Sequence, residues 1–334
     1  MSAALTLAED MNKKAISYHP FFDPCREGKP LTWTQKLCLS ILVGAAYSLF
    51  QFLNLHNKAV FFEQFAWVLS IVISTSLLAL YMATAVFRNS LSIMLANDDP
   101  SGSTERFLRR IMTNRNYVIS GLIFGFITCA VSHTLGIPES LAQASLPFLS
   151  YYLGCMLTGF AAGMGLWGIL SIIALYVRLA PNLQYTLDPD NPDGKGGIKA
   201  LGDSVWIFAS LLFLVGLLVA VYMFNAEWTN LQTSLGRALF LFWLAMPFVL
   251  AISIVLIPGL AVRRQVDEFK QRKQEELKKE RAEVYSSYKE FEQAGDEEII
   301  ARKKALQDRL NTIHQQMENL QHMGSSLLDF RKNT

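Results

Sequence analysis

The chain has 334 residues, of which 51% are apolar and 17% are charged, and its formal net charge is +2. A typical soluble domain carries about 25% charged residues, so this composition indicates a membrane protein. The small net charge argues against a nucleic-acid-binding domain, and the apolar content argues against a disordered, collagen-like or disulfide-stabilised chain. Half of the charged residues, 15 of 30 basic and 14 of 28 acidic, lie in residues 262–334. The sequence therefore predicts an apolar membrane domain followed by a charged tail.

Residues 1–35 are expected to form a cytoplasmic arm, because they are polar and lack the pattern of a cleaved signal peptide. The order Thr32-Trp33-Thr34-Gln35 fits a capping box, in which the threonine and glutamine side chains bond each other's backbone N–H groups. A helix is therefore predicted to begin at this point and to continue into the first membrane span.

Six apolar stretches are each long enough to cross a hydrocarbon core of about 30 Å as a helix. None contains Asp, Glu, Lys or Arg, and they comprise Leu37–Leu55, Phe65–Phe87, Tyr117–Ile137, Phe148–Tyr176, Val205–Phe224 and Leu239–Leu260. The predicted fold class is all-α. Six transmembrane helices occupy residues 36–261, and a cytoplasmic antiparallel coiled-coil hairpin occupies residues 262–334.

The orientation of the spans is predicted from the basic residues in the connecting segments. Outside the tail, one set of flanks carries 13 Lys and Arg residues, whereas the opposite set carries only Lys58 and Arg237. Cytoplasmic loops are the ones enriched in basic residues. Both termini are therefore expected to face the cytoplasm, in a multi-pass protein of the cell inner (plasma) membrane.

Hydroxyl side chains inside the spans are candidates for lining a pore. Ser70 and Ser74 lie in the second span and Thr158 lies in the fourth. Pores can be lined by Ser, Thr and apolar constrictions without any buried charge. The same residues also occur in ordinary helix packing, and the sequence leaves both interpretations open.

Two G-x-x-x-G motifs lie in neighbouring spans, and each places two glycines on one face of its helix. The first consists of Gly121 and Gly125 in the third span, and the second consists of Gly159 and Gly163 in the fourth. Glycine lets helix backbones approach closely in lipid, so both motifs predict helix–helix packing. The partner helix could belong to the same chain or to a neighbouring subunit.

The sixth span is predicted to end at Pro258-Gly259, next to the charged tail. Proline removes a backbone donor and kinks a helix, and glycine adds conformational freedom. These two residues are the candidate gating hinge, with simple termination of the span as the alternative.

An acidic, glycine-rich loop connects the fourth and fifth spans. Its conspicuous residues are Asp188, Asp190, Asp193, Gly194, Gly196 and Gly197. An EF-hand needs a glutamate at its twelfth position, where this chain has Lys199, so that site is excluded. A looser calcium or magnesium site on the aspartates stays open, while the prolines and glycines predict a tight cytoplasmic turn.

The residues from Pro192 to Gly202, in the order PDGKGGIKALG, resemble a P-D-x-x-G-G-[LI]-x-x-L-G loop of uncharacterised bacterial multi-pass membrane proteins. Asn191 stands where those proteins usually have a histidine. The resemblance covers only this loop. It implies a bacterial inner-membrane protein and no particular activity.

The tail is predicted to contain two helices that pair as the coiled-coil hairpin. Apolar residues in the second helix follow spacings of 4, 3, 4 and 3, which form a heptad seam. The seam consists of Leu306, Leu310, Ile313, Met317 and Leu320. The first helix is less apolar along its seam, so contacts between subunits are expected to complete the burial in a homo-oligomer.

The sequence contains no recognisable catalytic constellation. Its five histidines do not pair at metal-ligand spacing, and no H-E-x-x-H or G-x-S-x-G motif is present. The chain is therefore expected not to be an enzyme and to need no cofactor or metal. The expected partners are the lipid bilayer, further copies of this chain, and a cytoplasmic ligand or protein, with nothing that points to nucleic acid.

The predicted function is a homo-oligomeric membrane channel or pore that is gated through the tail. A secondary transporter is less favoured, because coupled carriers place ionisable residues at mid-membrane. A non-conducting membrane anchor or sensor that recruits cytoplasmic partners is the alternative. If the gene is bacterial, such a channel would suit the killing effector of an anti-phage (antiviral defence) system, by general analogy with membrane effectors.

Overall fold

The computed structural model describes residues 25–26, 29–55, 57–63, 66–96, 106–107, 110–136, 145–183, 187, 198–290 and 297–323. Its helices are α1 (Trp33–Asn54), α2 (Ala59–Glu63), α3 (Ala66–Ala96), α4 (Asn114–Leu135), α5 (Ser145–Leu183), α6 (Lys199–Asn225), α7 (Ser234–Glu290) and α8 (Glu297–His322). A two-residue antiparallel pair, β1 (Cys25–Arg26) and β2 (Lys29–Pro30), precedes them.

Six of these helices are long and apolar enough to cross a membrane. Among the described residues they are Trp33–Asn54, Ala66–Phe87, Asn114–Leu135, Ser145–Arg178, Leu201–Asn225 and the Ser234–Lys289 segment that contains the last span. The prediction of a helical chain with six helices able to span a membrane is confirmed, by the length and composition of these helices. Many large apolar side chains of these helices, such as Leu42 and Phe126, are exposed in the isolated chain, as expected of a lipid-facing surface.

The first span begins at the predicted capping box. The Thr32 hydroxyl accepts from the Gln35 N–H at 3.4 Å, and the Gln35 side chain accepts from the Thr32 N–H at 2.9 Å. These two bonds satisfy backbone donors that a helix start otherwise leaves unpaired. The capping-box prediction is therefore confirmed, and it explains why α1 starts four residues before the apolar stretch.

Helix α4 ends at Gly136, which has a φ of 87°. A side chain here would be strained by this backbone conformation, and its Cβ would overlap the Thr229 hydroxyl. The Asn230 N–H donates to the Leu135 carbonyl at 2.9 Å, and the Asn230 side chain donates to the Thr134 carbonyl at 3.1 Å. We call this side of the bundle, formed by residues 55, 57–63, 135–136 and 226–233, the loop end.

The helix that contains the sixth span does not end at Pro258-Gly259, whereas the position at which it leaves the membrane stays a prediction. Helix α7 continues without a break through Pro258 and Gly259 to Glu290. Proline removes only one backbone hydrogen bond, and the neighbouring turns keep theirs in an apolar environment, where no water competes. Whether the two residues act as a gating hinge stays a prediction.

The chain divides into two compact units. One consists of Met1–Leu175 and Ser204–Leu256, and the other consists of Tyr176–Asp203 and Ile257–Thr334. The core of the first unit gathers at the loop end, where Leu55, Phe61 and Trp228 are buried together with apolar residues of α3 to α6.

In the second unit, α8 packs against the later part of α7. The shared apolar cluster contains Leu277, Val284, Ile313 and Leu320, with Phe269, Leu306, Leu310 and Met317 packed around it. Arg309 pairs with Glu280 at 2.8 Å, and the Lys270 ammonium donates to the Met323 carbonyl. Of these two contacts, the one nearer the start of α7, at Lys270, is made with the end of α8, at Met323. The two segments therefore run in opposite directions.

Candidate functional site in the membrane bundle

The structure brings the two glycine motifs of one chain together. A Cβ added at Gly163 would lie 2.5 Å from the Ser120 carbonyl oxygen and 3.0 Å from the Gly121 Cα. A Cβ at Gly159 would lie 2.8 Å from the Gly125 Cα. Helices α4 and α5 therefore touch backbone to backbone, and any side chain at these positions would have to push them apart.

Polar contacts accompany the same interface along its length. The Ser120 hydroxyl donates to the Gly163 carbonyl at 2.9 Å, and the Ser132 Oγ lies 3.4 Å from the Cys155 Sγ. Nearer the loop end, the His133 Nδ1 lies 2.8 Å from the Tyr152 hydroxyl. Each contact satisfies polar groups that lipid cannot hydrate.

Ser70 and Ser74, two of the candidate pore-lining residues, lie where α1 meets α3. A Cβ at Gly44 would overlap the Ser74 hydroxyl and would lie 2.6 Å from the Ser70 carbonyl oxygen. The absence of a side chain at Gly44 therefore lets α3 pack closely against α1. Ser70 is only 7% exposed at this contact. Ser70 and Ser74 are placed at a helix contact of the isolated chain.

Helix α1 turns a polar face toward the bundle. Its buried residues are Lys36, Ser40, Gly44, Tyr47 and Gln51. They recur every three or four positions, while the leucines and isoleucines of α1 point outward. The Tyr47 hydroxyl and both amide atoms of Gln51 are buried without a hydrogen-bond partner among the described residues. Such groups call for internal water, an ion or a ligand.

A cluster of buried tyrosines continues from this face into the bundle. The Tyr47 hydroxyl fills the space left by the missing side chain of Gly154, and it lies near Cys155 and Tyr222. Tyr151, which is 1% exposed, also lies beside Cys155 and Tyr222. The loop-end half of the bundle interior is therefore more polar than a packed apolar core.

Two cavities lie in the interior of the bundle. The larger has a volume of about 130 Å³ and is lined by side chains of α3 to α7, almost all of them apolar. Ser76, Thr128 and Thr158 supply its hydroxyl groups. Because this lining is almost entirely apolar, it offers water few hydrogen-bond partners.

The smaller cavity has a volume of about 50 Å³ and lies toward the loop end. Ser132, Cys155 and Tyr222 line it, and Leu135 and Trp228 lie at its loop-end side. Its volume is enough for a few water molecules, which need polar partners of this kind.

Four residues line both cavities, and we call them the neck: Thr128, Thr158, Val219 and Trp243. The Thr128 hydroxyl donates to the Phe124 carbonyl at 2.8 Å, and the Trp243 ring stacks on Phe124 with centroids 5.3 Å apart. The Thr158 hydroxyl is buried without a partner among the described residues. Of the three predicted pore-lining residues, Thr158 is the one that the structure places on a cavity.

Other predicted site residues lie elsewhere. Pro258 and Gly259 are helical, and the seam residues Leu306, Leu310, Ile313, Met317 and Leu320 lie in the cluster between α7 and α8. The loop residues Asp188, Asp190, Asp193, Gly194, Gly196 and Gly197 fall outside the described residues.

The sequence interpretation missed Thr128, Trp243 and Gln51. Gln51 carried a readable signal, because the polar residues of the first span repeat at helical spacing. Thr128 and Trp243 carried none, since only the packing of five helices shows that they face a common space.

Neither cavity is lined by a charged side chain among the residues that the structure describes. In the same part of the chain, no group of three His, Cys, Asp or Glu side chains is arranged to hold a metal ion. The chain matches no protein-family model, no curated protein and no solved structure.

Proposed function

We propose that the protein is a homo-oligomeric ion channel of the cell inner membrane, gated through its tail. The observation that carries this proposal is helix α7, in which the last membrane span and the first tail segment form one unbroken element, Ser234–Glu290. A helix transmits displacement along its axis, so a change in the tail would act on a membrane span directly. A span with no link to the tail would offer no such route.

The interior of the membrane bundle supports conduction over coupled transport. Its two cavities are lined mainly by apolar side chains with a few hydroxyl, thiol and aromatic groups, and no charged side chain lines them in the described part of the chain. Coupled carriers usually hold their substrate with ionisable groups at this depth, whereas pores do not require them.

In this proposal the tail is a cytoplasmic coiled-coil hairpin that contributes to self-association. The apolar cluster between α7 and α8 leaves charged side chains such as Arg309 and Glu280 on its surface. Further copies of the chain would pack beside it, and a cytoplasmic ligand or protein would set its position. Opening such a channel would dissipate ion gradients, which is the basis for proposing a role in antiviral defence.

The proposed topology places the loop end outside the cell and both termini in the cytoplasm. Reporter fusions after Gly102 and Asn191 should read cytoplasmic, and fusions after Asn57 and Ser140 should read external, because basic residues concentrate in the former segments. An external signal at Asn191 would overturn the orientation.

Truncation after Arg264 should raise ion flux through proteoliposomes by about tenfold, since it removes the element that holds the spans in their closed arrangement. The measurement compares full-length and truncated protein at equal density in liposomes, and growth arrest on expression in bacteria provides a second readout.

Two substitutions that keep the tail test the hinge. Pro258→Ala restores a backbone donor and should shift gating more than Gly259→Ala does.

If neither the full-length nor the truncated protein shows flux with any ion and ligand tested, the non-conducting anchor becomes the better account of this chain.

A further inference from the structure

We propose that the ion pathway runs through the interior of each protomer, along the two cavities and their neck, and that it carries monovalent cations. This inference rests on the proposed channel function. It specifies where the permeation path lies and which class of ion it takes.

The two cavities together extend through most of the membrane interior. Along α6 their lining residues run from Phe208 to Met223, which is a rise of about 22 Å at 1.5 Å per residue. The hydrocarbon core is about 30 Å thick. The two spaces adjoin at the neck, where Thr128, Thr158, Val219 and Trp243 line both cavities.

Two of the neck residues, Thr128 and Thr158, carry hydroxyl oxygens, a type of ligand that suits a monovalent cation. The Thr128 hydroxyl uses its hydrogen on the Phe124 carbonyl, so toward the cavities its oxygen can only accept or coordinate. The buried Thr158 oxygen has no partner among the described residues and needs one. A passing cation would give both oxygens a partner, and the face of the Trp243 indole would add a favourable cation–π contact.

The lining also selects among ions. It offers no basic side chain to an anion, and it offers no carboxylate that could replace the water shell of a divalent cation, among the residues described. Hydroxyl oxygens and aromatic faces suffice for a weakly hydrated monovalent cation, which must also be released on the far side.

The structure corresponds to a closed form of this path. The larger cavity is almost entirely apolar and offers water few partners, so it opposes the passage of ions until it widens and fills with water. At the loop end, Trp228 is 9% exposed and its indole N–H donates to the Met223 carbonyl at 2.8 Å, which holds the ring beside the smaller cavity. Opening therefore requires wetting of the larger cavity and movement of Trp228.

Filling the larger cavity tests the location of the path. Ala162→Phe adds a phenyl ring to its wall, and a cavity of about 130 Å³ is close to the size that accepts benzene. Potassium flux through proteoliposomes of full-length protein should fall by about tenfold, while the melting temperature in detergent is kept or rises. Leu153→Phe is the matched control, because Leu153 lies on the same helix, is 42% exposed and lines neither cavity.

A second variant tests the chemistry of the neck. Thr158→Val keeps the shape of the side chain and removes its oxygen, so potassium flux should fall by about fivefold, and Thr158→Ser should restore most of it. Chloride and calcium fluxes through the wild type should stay at the level of empty liposomes.

The outcomes separate this inference from the channel proposal. If wild-type protein conducts and Ala162→Phe, folded by its melting temperature, conducts equally well, the path lies between protomers and this inference fails alone. Chloride conduction would overturn the assignment to cations. An absence of flux in the wild type and in the truncated protein would overturn the channel proposal, and the inference with it.

Discussion

Replacing Gly163 with alanine should lower the free energy of unfolding of the membrane domain by about 2 kcal/mol, whereas the same change at Gly165 should raise it by up to about 1 kcal/mol. A Cβ at Gly163 would lie 2.5 Å from the Ser120 carbonyl oxygen and 2.6 Å from the Phe124 Cβ. Both atoms belong to the rigid part of α4, so α4 and α5 would have to separate. A larger residue, as in Gly163→Leu, should cost still more.

Gly165 is a matched control for this substitution. It lies two residues further along α5, and its added Cβ would have only an ordinary contact, 3.7 Å from the Leu80 Cδ2. Both changes gain the same helix propensity of about 1 kcal/mol, which cancels in the comparison. Reversible unfolding in mixed detergent micelles measures the difference. Equal stabilities of the two variants would show that α4 and α5 do not touch at Gly163.

The same interface has a consequence for the cavities. A side chain at Gly159 would overlap the Thr128 hydroxyl, so this glycine leaves room for one of the two oxygens of the neck. Close packing of α4 on α5 and the position of the neck are therefore two results of one arrangement. Substitutions at Gly159 should disturb stability and flux together, whereas Gly163, which lines neither cavity, should affect stability first.

The features that were predictable from the sequence are those that depend on one segment alone. The length of each apolar run predicts a span, and Thr32 with Gln35 predicts the start of the first helix, because the relevant contacts are local. The spacing from Leu306 to Leu320 predicts which face of the last helix is apolar. All of these patterns need only the geometry of a single helix.

Features that depend on several helices were not predictable in this way. Pro258 suggests the end of a helix when only its missing N–H is considered, yet α7 continues through it to Glu290. The sequence does not show which helix packs against Gly163, and in the structure it is α4. Thr128 and Trp243 belong to the neck only because five helices leave space between them, which no periodicity encodes.

Replacing Leu310 and Ile313 together with aspartate should separate α8 from α7 and make α8 sensitive to proteases. Ile313 is 2% exposed in the cluster with Leu277 and Leu320, and Leu310 packs against it. An unpaired carboxylate in such a position costs several kcal/mol, on the order of 4, which exceeds what a short two-helix cluster can supply. Once released, α8 has little apolar surface left to stabilise it as a helix.

Limited proteolysis of the full-length protein in detergent measures this separation, and the mass of the complex shows whether the tail holds subunits together. The matched control is Asn311→Asp with Gln315→Asp, which adds the same charge at two exposed positions of α8. That control should keep wild-type protease resistance and mass. If the Leu310 and Ile313 double variant also kept both, the cluster would not be what joins the tail helices. If it became protease-sensitive at unchanged mass, self-association would have to come from the membrane domain, where exposed apolar side chains such as Leu42 and Phe126 offer the alternative contact surface.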